Sequence, residues 1–365
     1  MKSSVSSLYV HIPFCKYICT YCDFKKFIYN QSRVDNYFCA LLKQIESLNR
    51  KYLTIYIGGG TPSCIDKTNL ENLLSKLSLL LDDNYQEFTI ECNVENINED
   101  FLKLIKKYKV NRLSIGIQTF NDKFIAFCGR KHNKQMAIDN IMLACKYIKN
   151  VSIDMIYAFP NQTINQLKED IDIACSLPVK HISYYSLLIE DNTVLKMKNY
   201  QNVDDVIQSN MYRIIYDKLK DNHFHRYEIS NFSKNGRYKS KHNLTYWHNE
   251  CYDAVGLNSS GYVDNIRFRN NDNIVKYNNL DFRYVEQTKL STKDQMFEEI
   301  MLRLRLNEGL DIRKYNNKYN CDFKKQYKKI IDKYLQMGLL KIEKGIIKTT
   351  FEGSLLLNSI LEDFL

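Results

Sequence analysis

Proline and glycine are scarce in this chain, four and twelve residues among 365. That leaves no Pro-rich or Gly-rich linker, and no low-complexity stretch separates one part of the chain from another. Long hydrophobic runs are also missing. No uninterrupted apolar stretch approaches the roughly 18 residues of a membrane span. No signal-peptide apolar region precedes the first strand-like run, Leu8-Tyr9-Val10-His11-Ile12, which follows only seven residues. A soluble, cytoplasmic protein is expected. Without a secretory signal, the eleven cysteines are expected to be reduced, with clustered ones read as metal or redox sites. The scattered ones (Cys39, Cys64, Cys92, Cys128, Cys145, Cys175, Cys251, Cys321) read as ordinary buried small residues.

What is present is ample material for a core, with 44% hydrophobic and 13% aromatic residues. A prior of roughly 100–200 residues per domain gives two or three domains. Lys and Arg outnumber Asp and Glu by 52 to 42, a formal charge of +10. They are spread along the chain without a basic arm, so no nucleic-acid partner is expected. A solvated basic surface is the simpler reading. Peripheral contact with an anionic membrane, or an acidic ligand such as a porphyrin propionate, stays open.

The first half alternates between two periods. Strand-like runs at Leu8–Ile12, Leu53–Ile57, Phe88–Glu91, Arg112–Gln118, Val151–Tyr157 and His181–Ser186 are separated by helical patterns. The first helix is expected from an N-cap at Ser32 and the second from one at Asp66. Later ones lie at Glu99–Tyr108, Lys134–Ile148, Ile164–Ser176 and Val203–Leu219. Such alternation predicts βαβ units and a parallel sheet, as in a complete or partial TIM-like barrel; periodicity alone does not exclude a doubly wound sheet. Functional residues then belong where strands end and loops begin. Residues 222–290 lose the pattern and read as an irregular connecting segment. The tail, 291–365, reads as helices near Lys293–Leu306, Asp311–Asn317 and Lys325–Met337. Two strands flanking Lys344-Gly345 follow, giving a small winged-helix-like α+β domain.

Chemistry concentrates directly after the first strand, in Cys15-Lys-Tyr-Ile-Cys19-Thr-Tyr-Cys22. Thiolates favour iron–sulfur clusters or zinc. A zinc site wants four protein ligands, usually from paired CxxC knuckles; no fourth ligand is near and no CxxC lies elsewhere. Three thiolates on a [4Fe–4S] cluster leave one iron open to chelate the amino and carboxylate groups of S-adenosylmethionine (SAM), whose cleavage the cluster drives while the protein binds and orients. The CxxxCxxC spacing is that of the radical SAM superfamily. Gly58-Gly59-Gly60-Thr61 ends the second strand, where exposed amides can approach such a ligand. Glu91, Gln118 and Asp154 lie on or at the ends of later strands. Arg130, in Gly129-Arg130-Lys131-His132, is a bidentate carboxylate partner or a surface residue.

These residues resemble the oxygen-independent coproporphyrinogen III dehydrogenase family, and within it the heme chaperone branch. The resemblance spans nearly the whole chain. It is carried by Leu-Tyr-Val-His-Ile-Pro-Phe-Cys (8–15), Tyr-Cys-Asp-Phe (21–24), Gly-Gly-Gly-Thr-Pro (58–62) and Arg-Leu-Ser-Ile-Gly-Ile-Gln-Thr-Phe (112–120). Gly-Arg-Lys-His (129–132), Ile-Asp-Met-Ile-Tyr (153–157), Tyr-Glu-Ile-Ser-Asn-Phe (227–232) and His242-Asn243-Leu-Thr-Tyr246-Trp247 complete it. The resemblance implies a partial (β/α)6 barrel over 1–221, the connecting segment with HNxxYW over 222–290, and an accessory domain over 291–365. It implies a [4Fe–4S] cluster on Cys15, Cys19 and Cys22, and SAM contacts from Tyr9, Tyr21, Gly59 and Glu91. Gly60, Thr61, Gln118, Arg130 and Asp154 match positions that line a second SAM in the dehydrogenases.

Two features separate the branches. The dehydrogenases carry a fourth cysteine where this chain has Phe24, and a long extension before the first strand. Both differences favour a protein that binds heme and passes it to an acceptor protein, with a flavodoxin or ferredoxin as electron donor. Catalysis as a coproporphyrinogen dehydrogenase, or on another tetrapyrrole, is the alternative. In the chaperone branch HNxxYW is associated with heme, which makes His242 the candidate iron ligand and Tyr246 and Trp247 candidate macrocycle contacts; a packed aromatic corner is the competing reading. The chain departs from the family at Cys92-Asn93-Val94, at Ala158-Phe159-Pro160-Asn161 and at 254–260, where a Gly/Ala-rich stretch ending in His-Ser is usual.

Overall fold

Six parallel strands form the heart of the protein: β1 (Ser7–Ile12), β2 (Thr54–Gly59), β3 (Glu87–Asn93), β4 (Arg112–Gln118), β5 (Asn150–Tyr157) and β6 (His181–Ser186). They pair in chain order, each crossing to the next through at least one helix. The expected α/β fold with a parallel sheet and a small C-terminal part is therefore present. The computed structural model describes residues 5–365; residues 1–4 of the expected first domain lie outside the described residues. Among the described residues no helix is long and apolar enough to cross a membrane.

Two helix starts show how local chemistry fixes the boundaries. Asp66 caps helix Lys67–Leu79 as expected, its carboxylate accepting from the Asn69 amide at 3.1 Å. Helix Gln31–Glu46 is capped by Asn30, not by Ser32. Asn30 has the extended backbone that aims its Oδ1 at the Arg33 amide, 3.1 Å away, whereas Ser32 already lies inside the first turn.

The strands are two-faced. Leu8, Val10, Ile55, Ile57, Phe88, Ile90, Leu113, Ile115, Val151, Ile153 and Ile182 face the surrounding helices and are buried in one continuous apolar core. The alternate positions point inward. They read Ser7-Tyr9-His11, Thr54-Tyr56, Glu87-Thr89-Glu91-Asn93, Arg112-Ser114, Ser152-Asp154 and His181-Ser183-Tyr185. The interior is polar, so something must satisfy it.

Residues 222–290 do this, and they are not the irregular connection expected. Their strands β7 (Phe224–Arg226) and β8 (Asn231–Lys234) run antiparallel beyond β6. Strand β9 (Tyr252–Val255) joins β1 in parallel on the opposite side, and β10 (Ser260–Val263), β11 (Ile266–Arg269) and β12 (Glu286–Lys289) follow antiparallel. The result is one open twelve-stranded sheet. Between its two outer parts, helix Lys241–Trp247 crosses the starts of the central strands and closes their interior from below. The buried Glu87 carboxylate holds that helix's start, accepting from Ser240 Oγ (3.1 Å), the Lys241 amide (2.8 Å) and the His242 amide (3.2 Å). Arg112, fully buried, is the opposing charge. Ser7, Thr54 and His242 continue the network, as do Ser152, His181 and Tyr227.

Beyond residue 290 a second core forms around Ile300, Leu304, Tyr315, Phe323, Ile331, Ile347 and Ile360. The helix expected over Lys325–Met337 is broken into Phe323–Gln326 and Lys328–Gln336 at Tyr327. The hairpin of β14 (Leu340–Glu343) and β15 (Ile346–Thr349) turns on Lys344 and Gly345, both left-handed, and pairs with a short β13 (Leu310–Asp311). Two short helices, Phe351–Leu355 and Leu357–Glu362, follow it. This part docks on the edge of the sheet through Arg226, which donates to Ser354 Oγ at 2.7 Å and lies over the Phe351 ring.

Replacing the Glu87 carboxylate by an amide turns one of its two accepting oxygens into a donor facing the Ser240, Lys241 and His242 donors, and removes the negative charge that acts on the buried Arg112, a change that costs about 3–5 kcal/mol. Glu87→Gln is expected to lower the urea midpoint of unfolding accordingly; an unchanged midpoint would show that the floor does not depend on this carboxylate.

Candidate cofactor site

The cysteine loop leaves β1 at Pro13 and returns at Phe27, where Phe14–Cys15 and Phe27–Ile28 pair in parallel. The Phe27 amide donates to Pro13 O at 2.7 Å and the Tyr29 amide to Cys15 O at 2.8 Å, which pins the loop's base. A turn from Cys19 O to the Cys22 amide brings the second and third cysteines together on its far side. Thr20 ties that side to the body, its amide bonding Cys128 O (3.1 Å) and its hydroxyl Phe127 O (2.7 Å). The three thiols thus line one end of a cavity of about 510 Å³ at the upper ends of the strands.

The remaining expected residues fall mostly in the same cavity. Tyr21, Gly59, Gly60, Thr61, Glu91, Gln118, Arg130 and Asp154 all line it. Tyr9 does not: it stacks behind Tyr56 and bonds His11 Nδ1 at 2.9 Å. The heme candidates are also elsewhere. His242 is fully buried in the floor, its Nδ1 on Thr54 Oγ1 (2.8 Å) and its Nε2 on Tyr246 OH (2.7 Å), with Tyr56 stacked on its ring. Neither ring nitrogen is free for iron. Tyr246 is spent on that contact and on Tyr252, and Trp247 lies beneath Arg305. In this structure these three residues form the packed aromatic corner of the barrel floor, apart from the cavity that the cysteines line.

Gly60 and Gly59 are required by space. A Cβ on Gly60 would stand 2.7 Å from Phe14 O and 3.0 Å from Cys15 Sγ. One on Gly59, whose φ is +117°, would strike the His11 ring at 2.6 Å. Thr61 Oγ1 reaches Cys15 Sγ at 3.5 Å. Burial pushes the Cys15 thiol up to about 11, opposed by that hydroxyl and reinforced by the neighbouring Cys22 and Cys19.

Across the cavity the Glu91 carboxylate accepts from the Gly59 amide (3.0 Å) and Tyr56 OH (2.7 Å), so it fixes the glycine turn. Burial pushes its pKa up to about 7; the Tyr56 hydroxyl pulls it back and Asp154 pushes it further. Burial likewise raises Asp154, which accepts from Ser114 Oγ at 3.0 Å. Gln118 sits at φ +68° beside an irregularity in the β4–β5 pairing. Arg130, far from being a surface residue, is only 8% exposed.

Other cavity residues were missed in the sequence: Tyr56, Asn93, Arg112, Ser114, Ser183, Tyr185 and Asn243. The signal was the polar alternation along each strand, hidden inside runs that read as plain β-branched or aromatic. The scattered cysteines also differ from expectation. Cys39 is exposed, and Cys145, Cys175, Cys251 and Cys321 are half-buried; Cys64, Cys92 and Cys128 are buried.

The donor set fits an iron–sulfur cluster with a charged organic ligand beside it. The three thiols share one end of the cavity, where thiolates suit such a cluster. Gln118 Oε1, Arg130 Nε and Arg112 Nε are buried without partners around the cavity, as expected of walls that await a polar occupant.

The comparisons with known proteins agree with this geometry. Family models match over residues 9–174, described as the Radical SAM superfamily, and over 290–356, described as the HemN C-terminal domain. The heme chaperone HemW of Lactococcus lactis is 36% identical, with 100% of this chain and 98% of that protein covered. That of Bacillus subtilis is 33% identical, covering 99% of each. That of Escherichia coli is 30% identical, covering 98% of each. Among solved structures, coproporphyrinogen III oxidase (HemN) from Escherichia coli, a radical SAM enzyme, shares the fold. Its TM-score is 0.87 at 18% identity, over 99% of this chain and 90% of that one.

Gly60→Ala presses a methyl group against Phe14 O and Cys15 Sγ. The variant is expected to fold but to lose at least half of its iron and acid-labile sulfide after anaerobic reconstitution; wild-type iron content would refute the crowding argument.

Proposed function

The chain belongs to the heme chaperone HemW family, and on that premise we propose that it carries heme to an acceptor protein from a radical SAM core. Cys15, Cys19 and Cys22 hold three irons of a [4Fe–4S] cluster in this reading. SAM occupies the polar cavity, with its amino and carboxylate ends near Gly59, Gly60 and Thr61 and its positive charges facing Glu91 and Asp154. When bound, cluster and SAM supply the one-electron chemistry of the superfamily. Everything else is the work of the chain: Glu91 fixes the glycine turn, Gln118 and Arg130 offer unsatisfied polar atoms, and the loop walls exclude water. The site of action is cytoplasmic, with a flavodoxin- or ferredoxin-type protein as electron donor.

Heme carriage rests on the rim of the cavity. Phe24, directly after the cysteines, is 66% exposed, and Leu188 across the mouth is 55% exposed; Ile156 and Leu187 line the wall between. Two exposed apolar side chains at the mouth, backed by the buried Ile156 and Leu187, make an apolar rim around a polar interior. They offer a flat apolar macrocycle a place to lie, and Lys26 on the same wall offers a cation to a propionate. His242 supports the floor beneath this site in our reading and does not ligate the iron.

Two measurements test this. Phe24→Asp with Leu188→Asp replaces apolar contact by charge, and burying one such side chain contributes about 1.5–3 kcal/mol. Heme affinity, read from the Soret band, is expected to fall at least about tenfold with iron and sulfide content unchanged. Unaltered affinity, or a Soret band abolished by His242→Phe in a folded protein, would overturn the rim assignment. The second concerns pH. Glu91 ionises near 7, and a cationic ligand favours its ionised form, so SAM binding is expected to tighten as pH rises from 6 to 8, by up to about tenfold per unit below the pKa. Glu91→Gln should flatten this dependence; a wild-type profile independent of pH would exclude the pairing.

A further inference from the structure

Arg130 is a buried cation that makes no direct ion pair among the described residues. It follows helix Asp122–Phe127 and is 8% exposed, so its guanidinium has given up most of its water. Its hydrogen bonds go to Asn93 Oδ1 (3.0 Å), to the Gly116 carbonyl and to Cys19 Sγ (3.5 Å), and its Nε has no partner. The nearby carboxylate, Glu95, acts on it through space only: its Oε1 accepts from Tyr17 OH and Asn93 Nδ2, and its Oε2 makes no hydrogen bond. Arg112, the other buried arginine of the cavity, has the charges of Glu87 and Asp154 close by. A buried cation whose neighbouring carboxylates, Glu95 and Asp154, make no direct ion pair with it is only partly balanced, so a further negative charge on its sulfur side is favoured.

We propose that this counter-charge is the iron–sulfur cluster, and that Arg130 sets the cluster's reduction potential through Cys19. The inference rests on the assignment of Cys15, Cys19 and Cys22 as cluster ligands. Three thiolates against a doubly positive four-iron core leave one net negative charge; one-electron reduction raises it to two. A guanidinium on a ligand sulfur stabilises the second state more than the first, so it makes reduction easier. Its position is built in. Asn93 orients the nitrogen that faces sulfur, and Gly116 leaves the room: a Cβ there would meet the other terminal nitrogen at 3.0 Å.

The full chain is reconstituted anaerobically, poised with dithionite and redox mediators, and the reduced cluster followed by EPR. Arg130→Gln is expected to lower the ratio of reduced to oxidised cluster at least tenfold at a fixed poise, a shift of 59 mV to more negative potential for one electron. Arg130→Lys keeps the charge without the planar fork and should recover most of that shift. Four irons in Arg130→Gln with the wild-type potential would overturn the proposal. Cluster loss in Arg130→Gln but not in Arg130→Lys supports it, because charge then decides retention. Cluster loss in both overturns it in favour of a purely steric role. A wild-type protein without a four-iron cluster is a distinct result, which fails the ligand assignment itself.

Discussion

The site depends on how a polar barrel interior is closed. A parallel βα frame ordinarily fills its centre with branched apolar side chains. Here the inward positions carry hydroxyls, carboxylates, imidazoles and guanidinium groups, so the centre can be left partly open as a cavity. Such a lining survives only if its lower half is satisfied from within. Glu87 does this against the start of helix Lys241–Trp247, while Thr54 and Ser7 meet His242 and Thr245 from the opposite wall. Tyr56 and Arg112 belong to both levels: they line the cavity and rest on the floor network. Cofactor space and structural foundation are therefore one hydrogen-bonded system.

That arrangement explains the division of roles among the charged groups. At the floor, Glu87 and Arg112 attract each other through space, which offsets part of the cost of burying both. At the mouth, Asp154 raises Glu91, while Arg130, which acts on Asp154 through space without an ion pair, bonds a cysteine sulfur. Each of these groups faces the cavity. A cationic sulfonium ligand and an anionic cluster are complementary to that pattern, acid on one wall and base on the other.

Much of this was legible in the sequence, and the failures have physical causes. The cysteine spacing, the glycine turn and the six βα units were readable because each depends on contacts close in sequence. Strands β7 to β12 were not, since they are three or four residues long and take their partners from distant segments, as β9 does from β1. In such short strands the sheet, more than propensity, decides the conformation. The surroundings of His242 were illegible for a related reason. Its motif sits on a seven-residue helix whose orientation is fixed by Glu87, 155 positions earlier. Arg130 was left open between a carboxylate partner and a surface residue, because nothing in its neighbourhood in sequence announces Asn93 or Cys19.

The open twelve-stranded sheet has two free edges, and a row of unpaired amides and carbonyls invites another chain to add itself. The protein answers differently at each end. Strand β7 is covered, because the C-terminal part locks onto Arg226. Strand β12 stays in solvent along its whole length, but it is a brief Glu-Gln-Thr-Lys segment with a charge at each end. A fold that leaves its sheet open thus carries, at its solvent-facing edge, a strand whose brevity and charges disfavour pairing with another chain.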